Sequence, residues 1–494
     1  MRPFNSPERS LGECADFLGA EISQRELIVS GICSDSRGIE IGDVFVALPG
    51  ANHHGVDFFE TALNRGAVAV VTDQVGAELL SSRSREIPIL SIRDPRASLG
   101  TFSSWFYGDP SQSMKILGVT GTNGKTTTTF LLSQLLTAAQ IEAGLIGTIE
   151  NRIGEESMPA IRTTPESDEL QRLLATMKER HCRAVAMEVS SHALVLDRVR
   201  GTRFSACAFT NLSQDHLDFH KTMENYFQAK KSLFTSDYTD RALIMIDDES
   251  GKRLFEEISI PALSLSLDNR KASWHYTKRD RITKGFEVAI RGEGGILIEG
   301  VLPLYGDYNL QNALAAVALA MEAGVDPLLI GRSLEKLRGA PGRLEQINQG
   351  QDFLALVDYA HSPDAVTRVL QTVRDFTAGK VIAVLGCGGD RDTSKRALMG
   401  QALKAGSDIA IFTSDNPRSE DPDAILRSMT KGVDLSDTSL VITDRKKAII
   451  EAVRRAKSGD TVIILGKGHE TGQEIAGVKH PFIDQEVLAE AIVS

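Results

Sequence analysis

Short apolar runs recur along the chain, separated by stretches whose apolar residues return at helical spacing. Near the start, DVFVAL and AVAVVT read as strands with FFETALNRG as a helix between them, predicting a small α/β unit that ends near residue 93. RASLGTFSSWFYGDPS then reads as a connecting helix closed by a turn, and KILGVTG opens a new core. AVAMEV, SACAFTNL and ALIMID continue the strand series with helical patterns between them, which predicts a mostly parallel sheet. After LRGAPGRLEQI, the strands FLALVDY, VIAVLG, DIAIFT and TVIILG alternate with helical PDAVTRVLQTVRDF and RKKAIIEAVRRAKS, the pattern of a second, smaller doubly wound sheet. The division expected is residues 1–93, 94–338 and 339–494. Open parallel sheets bind ligands beyond the carboxyl ends of their strands, and the motif-rich strings lie at those ends.

Composition narrows this picture. The 494 residues exceed what one hydrophobic core organises, and 42% apolar with 24% charged residues is ordinary for a soluble globular protein. No apolar run approaches a bilayer span, and the first residues have neither a signal peptide's apolar core nor a transit peptide's character, so a cytoplasmic protein without a membrane partner is expected. Five scattered cysteines, Cys14, Cys33, Cys182, Cys207 and Cys387, form no C-x-x-C pair and read as small core residues. A net charge of −11 disfavours nucleic acid, yet local basic groups can still hold a small anionic substrate. There is no low-complexity tract and no internal repeat.

The string KILGVTGTNGKTTTTFLLSQLL is a strand, a glycine-rich turn and a helix. Gly121 and Gly124 let the N–H groups of Thr122 and Asn123 approach phosphate oxygens, Lys125 can reach β- and γ-phosphates, and the Thr126 hydroxyl, followed by Thr127, can ligate Mg²⁺ at the helix start. The loop departs from strict G-x-x-x-x-G-K-[ST], because Val119 stands where the first glycine belongs. No N-K-x-D string is present to read guanine, so adenine is expected. Mg²⁺ asks for further oxygen ligands: Glu188 ends the strand in AMEVSSH, and Asp215 and His216 follow the strand that leads into NLSQDHLDFH.

GTNGKTT, MEVSSH, TNLSQDHLDFH, YFQAKKSLF, GDYNLQNALAA, PGRLE, DYAHSPD and GCGGDRDTSKR occur in this order, and together they make the chain resemble the Mur ligases over nearly its whole length, within them the members that add the third amino acid. The resemblance implies a monomer of three domains: a small N-terminal α/β domain holding the UDP end, a central P-loop ATPase domain, and a Rossmann-like C-terminal domain for the incoming amino acid. It implies a reaction in which the D-glutamate γ-carboxylate of UDP-N-acetylmuramoyl-L-alanyl-D-glutamate attacks the γ-phosphate of ATP. An amine then displaces phosphate from the acyl phosphate.

By the same resemblance Lys125, Glu188, His216 and Lys230 are catalytic, and Thr126, Glu188, His216 and Lys230 hold metal, Lys230 as a carbamate. A carbamate supplies anionic oxygens where an ammonium cannot; Lys231 is the less well aligned alternative. Asn309 is placed near adenine, Arg343 near phosphates or ribose, and Asp358 on ribose, although a helix-start cap, an ion pair and a strand-end turn are their plainer readings. Ser34, Ser36 and Asn52 match uridine and diphosphate contacts; Thr163, Thr164, Ser190 and Arg198 match muramoyl-peptide contacts. Leu196 stands where some relatives carry glutamine, which removes one contact to the peptide.

The acceptors of such ligases are chiefly meso-2,6-diaminopimelate and L-lysine, which differ by one distal carboxylate. Arginine's planar fork is the side chain that reads a carboxylate in two-point geometry. The turn Asp415-Asn416-Pro417-Arg418 carries that arginine, and resemblance makes DNPR the diaminopimelate form, completed by Arg391, Lys395, Gly466 and Glu470. The plainer alternative pairs Arg418 with Glu420 or Asp421. Rival functions are the lysine-adding ligase, a folate polyglutamylating ligase, and an ATP-driven switch that makes no bond.

Overall fold

A computed structural model describes residues 2–50, 52–81, 87–282 and 284–494. The chain forms two compact units. The first comprises Met1–Ile282, Glu287–Leu302 and Gln311–Leu337; the second comprises Thr283–Phe286, Pro303–Leu310 and Arg338–Ser494.

Within the first unit, the strands Gly31–Cys33, Asp43–Val46, Ala69–Thr72 and Ile89–Ser91 pair in parallel in chain order, with the helix Phe59–Asn64 in one crossover. Successive residues point to opposite faces, so Val44 and Val46 join one apolar cluster and Phe45 the other. The helix Pro95–Phe106 starts where predicted, its first turn fixed by Pro95 and by Asp94 accepting from the Ala97 N–H. It supplies Leu99, Phe102 and Phe106 to the first of those clusters.

An 11-stranded sheet makes up the rest of this unit. Its fifth strand, Lys115–Thr120, lies between Ala184–Glu188 and Ala206–Phe209, all three parallel. The next strand in sequence, Ala143–Ile146, joins beyond Ala184–Glu188, so the chain leaves its first strand in both directions. This reversal opens a crevice at the carboxyl end of Lys115–Thr120, where the glycine-rich turn sits. The periodicity does not announce the antiparallel pair Glu150–Ile153 and Glu156–Pro159, whose polar residues leave one edge exposed.

The second unit carries a six-stranded sheet in which Thr461–Leu465 is inserted between Leu354–Asp358 and Val381–Cys387. Ile409–Ser414 and Ser439–Val441 extend it in parallel, and the short Glu345–Gln346 is antiparallel at the other edge. Both faces are apolar because helices cover both. Leu356, Leu385 and Phe412 pack with the helices Pro363–Phe376, Ser394–Gly406 and Pro422–Met429, whereas Val357, Val384 and Ile411 pack with Arg445–Arg455 and Asp484–Val493. All five cysteines are free and buried, as expected of small core residues. Among the described residues, no helix is long and apolar enough to cross a membrane.

Candidate active site

The turn after Lys115–Thr120 is shaped by two glycines at positive φ, Gly121 at 152° and Gly124 at 88°. A Cβ on Gly121 would stand 1.9 Å from the Thr210 hydroxyl, and one on Gly124 would stand 2.2 Å from the Asn312 amide oxygen, so neither position admits a side chain. The neighbouring strand end braces the turn and takes up the two N–H groups expected to face phosphate, so in this arrangement neither is offered to a ligand. Thr122 N donates to the Asn211 carbonyl at 2.9 Å and Asn123 N to the Asn211 side chain at 3.0 Å, while the Thr122 hydroxyl accepts from Ser213 N at 3.0 Å. The helix Lys125–Ala138 starts directly at Gly124, with Thr126 and Thr127 buried in its first turn.

Two lysines converge on one carbonyl. Lys125 Nζ donates to the carbonyls of Gly121 and Thr122, both at 2.9 Å, and Lys230 Nζ donates to Gly121 at 2.8 Å. The Lys230 side chain is sealed from solvent and lies over the Tyr226 ring at 4.6 Å. Burial, reinforced by the nearby Lys125 charge, pushes its ammonium well below the ordinary lysine value, against a weaker pull from Asp215. A buried, readily deprotonated amine is nucleophilic; the sequence-based alternative, Lys231, is instead partly exposed and paired with Glu257 at 2.7 Å.

Glu188 is fully buried at the end of its strand. Its carboxylate accepts from the Thr126 hydroxyl at 2.9 Å, Thr148 N at 2.8 Å and the Thr148 hydroxyl at 3.1 Å. Among the described residues no lysine or arginine pairs with it. A buried carboxylate bonded by neutral donors beside a helix N-terminus fits a divalent cation, which would supply the missing positive charge. Among the described residues no group of three or more His, Cys, Asp or Glu is arranged to hold a metal. His216 is half-exposed at φ 53°; its ring packs against His192 at 4.8 Å and reaches Tyr226 at 6.3 Å, and its Nε2 lies 3.4 Å from Asp215.

The residues matched to the muramoyl peptide join the same network. The Thr163 hydroxyl contacts that of Thr148 at 3.0 Å, and the Thr164 hydroxyl donates to the Glu188 carbonyl at 2.9 Å and accepts from Ser190 N at 3.1 Å. Ser190 caps the helix Ser191–Val195, which ends at Leu196, and Arg198 is held by Glu166 at 2.9 Å. On the four-stranded sheet, Ser34 gives both its N–H and its hydroxyl to Asp168 at 2.8 Å, Ser36 is buried in a short 3₁₀ turn, and Asn52 is exposed on a loop. The Ser34 hydroxyl therefore meets any ligand as an acceptor.

In the second unit Asn309 is buried and donates to the Tyr305 carbonyl at 2.9 Å. The Arg343 guanidinium lies 4.7 Å over the Tyr359 ring. Asp358 accepts from Leu344 N and Ala360 N at 2.7 and 2.8 Å, and burial nonetheless raises its carboxyl above the usual range.

The DNPR turn closes the strand Ile409–Ser414, with Asp415, Asn416 and Pro417 buried and Arg418 at φ 53°. Arg418 donates its guanidinium to the Gly389 carbonyl, lies 3.5 Å from Glu474, and is tied to the antiparallel hairpin of Gly472–Ile475 and Val478–Pro481 by Arg418 N to Glu474 O at 3.0 Å and Ala476 N to Arg418 O at 2.7 Å. The surface-pair alternative does not hold. Glu420 is taken by Arg396 at 2.7 Å, and Asp421 caps the helix Pro422–Met429 and faces Arg427 at 3.3 Å. Gly466, at φ 108°, turns the chain toward Glu470, which accepts from Asn416 at 2.8 Å and Lys467 at 3.1 Å. Arg391 and Lys395 are exposed, Lys395 3.8 Å from Asp392. Sequence reasoning missed Thr148, Asp168, Tyr226 and Lys467. Two carried a signal, Tyr226 as the first residue of YFQAKKSLF and Lys467 between Gly466 and Glu470.

Known proteins resemble the chain along nearly its whole length. The chain matches the catalytic domain of the Mur ligase family over residues 28–103, the Mur ligase middle domain over 119–320 and the glutamate ligase domain of Mur ligases over 342–468. It is 46% identical over 99% of its length, and 98% of the relative's, to the UDP-N-acetylmuramoyl-L-alanyl-D-glutamate--2,6-diaminopimelate ligase of Streptomyces coelicolor. The Streptomyces avermitilis protein of the same name is 44% identical over the same shares. A solved structure bearing that name superposes with a TM-score of 0.72 at 34% identity, covering 97% of this chain and 98% of its own. With a braced phosphate loop, a buried lysine beside it and this likeness along its whole length, the chain belongs to the Mur ligase family.

Proposed function

We propose that the chain is an ATP-dependent ligase that joins an amine of meso-2,6-diaminopimelate to the D-glutamate γ-carboxylate of UDP-N-acetylmuramoyl-L-alanyl-D-glutamate, a step of peptidoglycan precursor synthesis. Near-full-length likeness to ligases of that name carries the reading. The DNPR turn supports the choice of amino acid, because Glu420 and Asp421 are paired elsewhere and Arg418, shared between the Gly389 carbonyl and Glu474, keeps a partly exposed guanidinium. A three-part division at residues 1–93, 94–338 and 339–494 is supported by the three matched domains in its number of parts and near its second boundary, while the first match runs on to residue 103. A soluble nucleotide-linked precursor and ATP fit a monomeric cytoplasmic enzyme.

In this reading the turn 121–127 cradles the nucleotide phosphates, and Lys125 leaves its two loop carbonyls to meet the γ-phosphate as negative charge gathers there. A glutamate oxygen bonds to the γ-phosphorus as the bond to ADP breaks; the amine then bonds to the acyl carbon, phosphate leaves and a proton is lost. Thr126 and Glu188 would hold Mg²⁺, which when bound offsets phosphate charge, with His216 at a second metal position. The unprotonated Lys230 amine can add to CO₂, releasing a proton and leaving a carbamate with two anionic oxygens beside the loop. Thr163, Thr164, Ser190 and Arg198 orient the muramoyl peptide and Ser34, Ser36 and Asn52 the UDP end, while Asn309, Arg343 and Asp358 serve the nucleoside. Arg418 and Arg391 take carboxylates of diaminopimelate, with Lys395 and Gly466 completing the pocket.

Coupled phosphate release with the UDP-linked dipeptide tests this reading. Release should require the amino acid and should run faster with meso-diaminopimelate than with L-lysine. Equal rates would remove the selectivity, and release without any amino acid would remove the ligase.

A further inference from the structure

Lys467 follows the strand Thr461–Leu465, and its side chain has no exposure to solvent. Its Nζ donates to the Gly472 carbonyl at 2.7 Å, to Glu470 Oε2 at 3.1 Å and to Asn416 Oδ1 at 3.2 Å, with Asp415 Oδ1 at 3.9 Å. Three donors thus meet three acceptors drawn from the DNPR turn, the 466–470 loop and the start of the hairpin strand Gly472–Ile475.

Asn416 completes the arrangement. Its Nδ2 donates to the same Glu470 Oε2 at 2.8 Å, and its Oδ1 accepts from Glu474 N at 2.9 Å. Glu470 Oε2 is therefore held twice, whereas Oε1 has no protein partner among the described residues and the side chain remains about a third exposed. Burial pushes the Glu470 carboxyl up, but Lys467 and Asn416 outweigh it and hold the group below the usual carboxylate range.

We infer that Lys467 is a positioning residue for the incoming amino acid: it locks Glu470 Oε2 and the Asn416 amide so that Glu470 Oε1 is presented to a substrate ammonium. The inference rests on the function proposed above and adds a residue to its specificity pocket. Because a buried lysine also ties loops together, the alternative is a purely structural tie, which would affect all three substrates alike.

The test is steady-state kinetics on the full-length enzyme, wild type beside Lys467→Met, Glu470→Gln and the double variant. Lys467→Met should raise KM for diaminopimelate at least about tenfold while KM for ATP and the UDP-linked dipeptide stays within about twofold, and it should add little in the Glu470→Gln background. An unchanged KM, equal shifts for all three substrates, or effects of Lys467 and Glu470 that simply add would overturn it. If Lys467→Met does not fold, Lys467→Gln, which keeps a donor, takes its place; failure of both to fold makes Lys467 a fold determinant and also overturns the inference. Wild-type enzyme inactive with diaminopimelate would instead overturn the proposed function, a separate result.

Discussion

Lys230 and Lys467 are both sealed from solvent, one in each compact unit, and they are answered differently. Lys230 has one hydrogen-bonded carbonyl, an aromatic face and another lysine for company. Lys467 is surrounded by a backbone carbonyl, an amide oxygen and two carboxylates. A buried ammonium on which the nearby carboxylate, Asp215, pulls only weakly is costly, and burial favours the neutral amine; one hydrogen-bonded to a carboxylate becomes a fixed strut. In the proposed function the same residue type therefore supplies chemistry at the phosphate loop and geometry at the amino-acid pocket.

The sharpest way to break this comparison is to make the same substitution twice. Lys230→Met should cut phosphate release on the order of 10³-fold while leaving thermal stability unchanged or raised, because a methionine replaces a poorly answered amine. Lys467→Met should lower stability by about 3 kcal/mol in denaturant unfolding, because it strands Glu470 and Asp415 without their partner. Equal stability losses in the two variants would sink the contrast.

Arg418→Ala comes next, with an expected loss of about 2 kcal/mol or more in kcat/KM for diaminopimelate and little change in KM for ATP. An unchanged value in purified enzyme would end the assignment of Arg418 to the distal carboxylate. Smallest of all are the neighbouring acids. Glu420→Gln should alter kcat/KM no more than about threefold, by loosening Arg396 and Asp390, and Asp421→Asn should leave the preference for diaminopimelate where it is.

The phosphate loop was legible because its chemistry is local: a strand, two glycines, a lysine and a threonine adjoin in sequence, and their spacing alone sets the turn. The strand-and-helix alternation was legible for the same reason, since burial on two faces of a parallel sheet leaves continuous apolar runs. Lys230 was found only through resemblance, because a lysine on a helix reads as solvated until the fold brings it to a carbonyl 109 residues earlier. Glu420 misled in the other direction. It sits two residues after Arg418, yet the fold hands it to Arg396, 24 residues before it.

By itself the amino-acid order determined the strands, the helices, the glycine turn and the DNPR turn, all consequences of side-chain period and of the φ values that glycine and proline permit. Only the tertiary structure decided which buried charges are matched. Thr126, Thr148 and Glu188 meet across strands, and Lys467 gathers Asn416, Glu470 and Gly472 from separate loops. Those contacts follow from sheet order and crossover, which bring distant strand ends together, and no spacing along the chain encodes them.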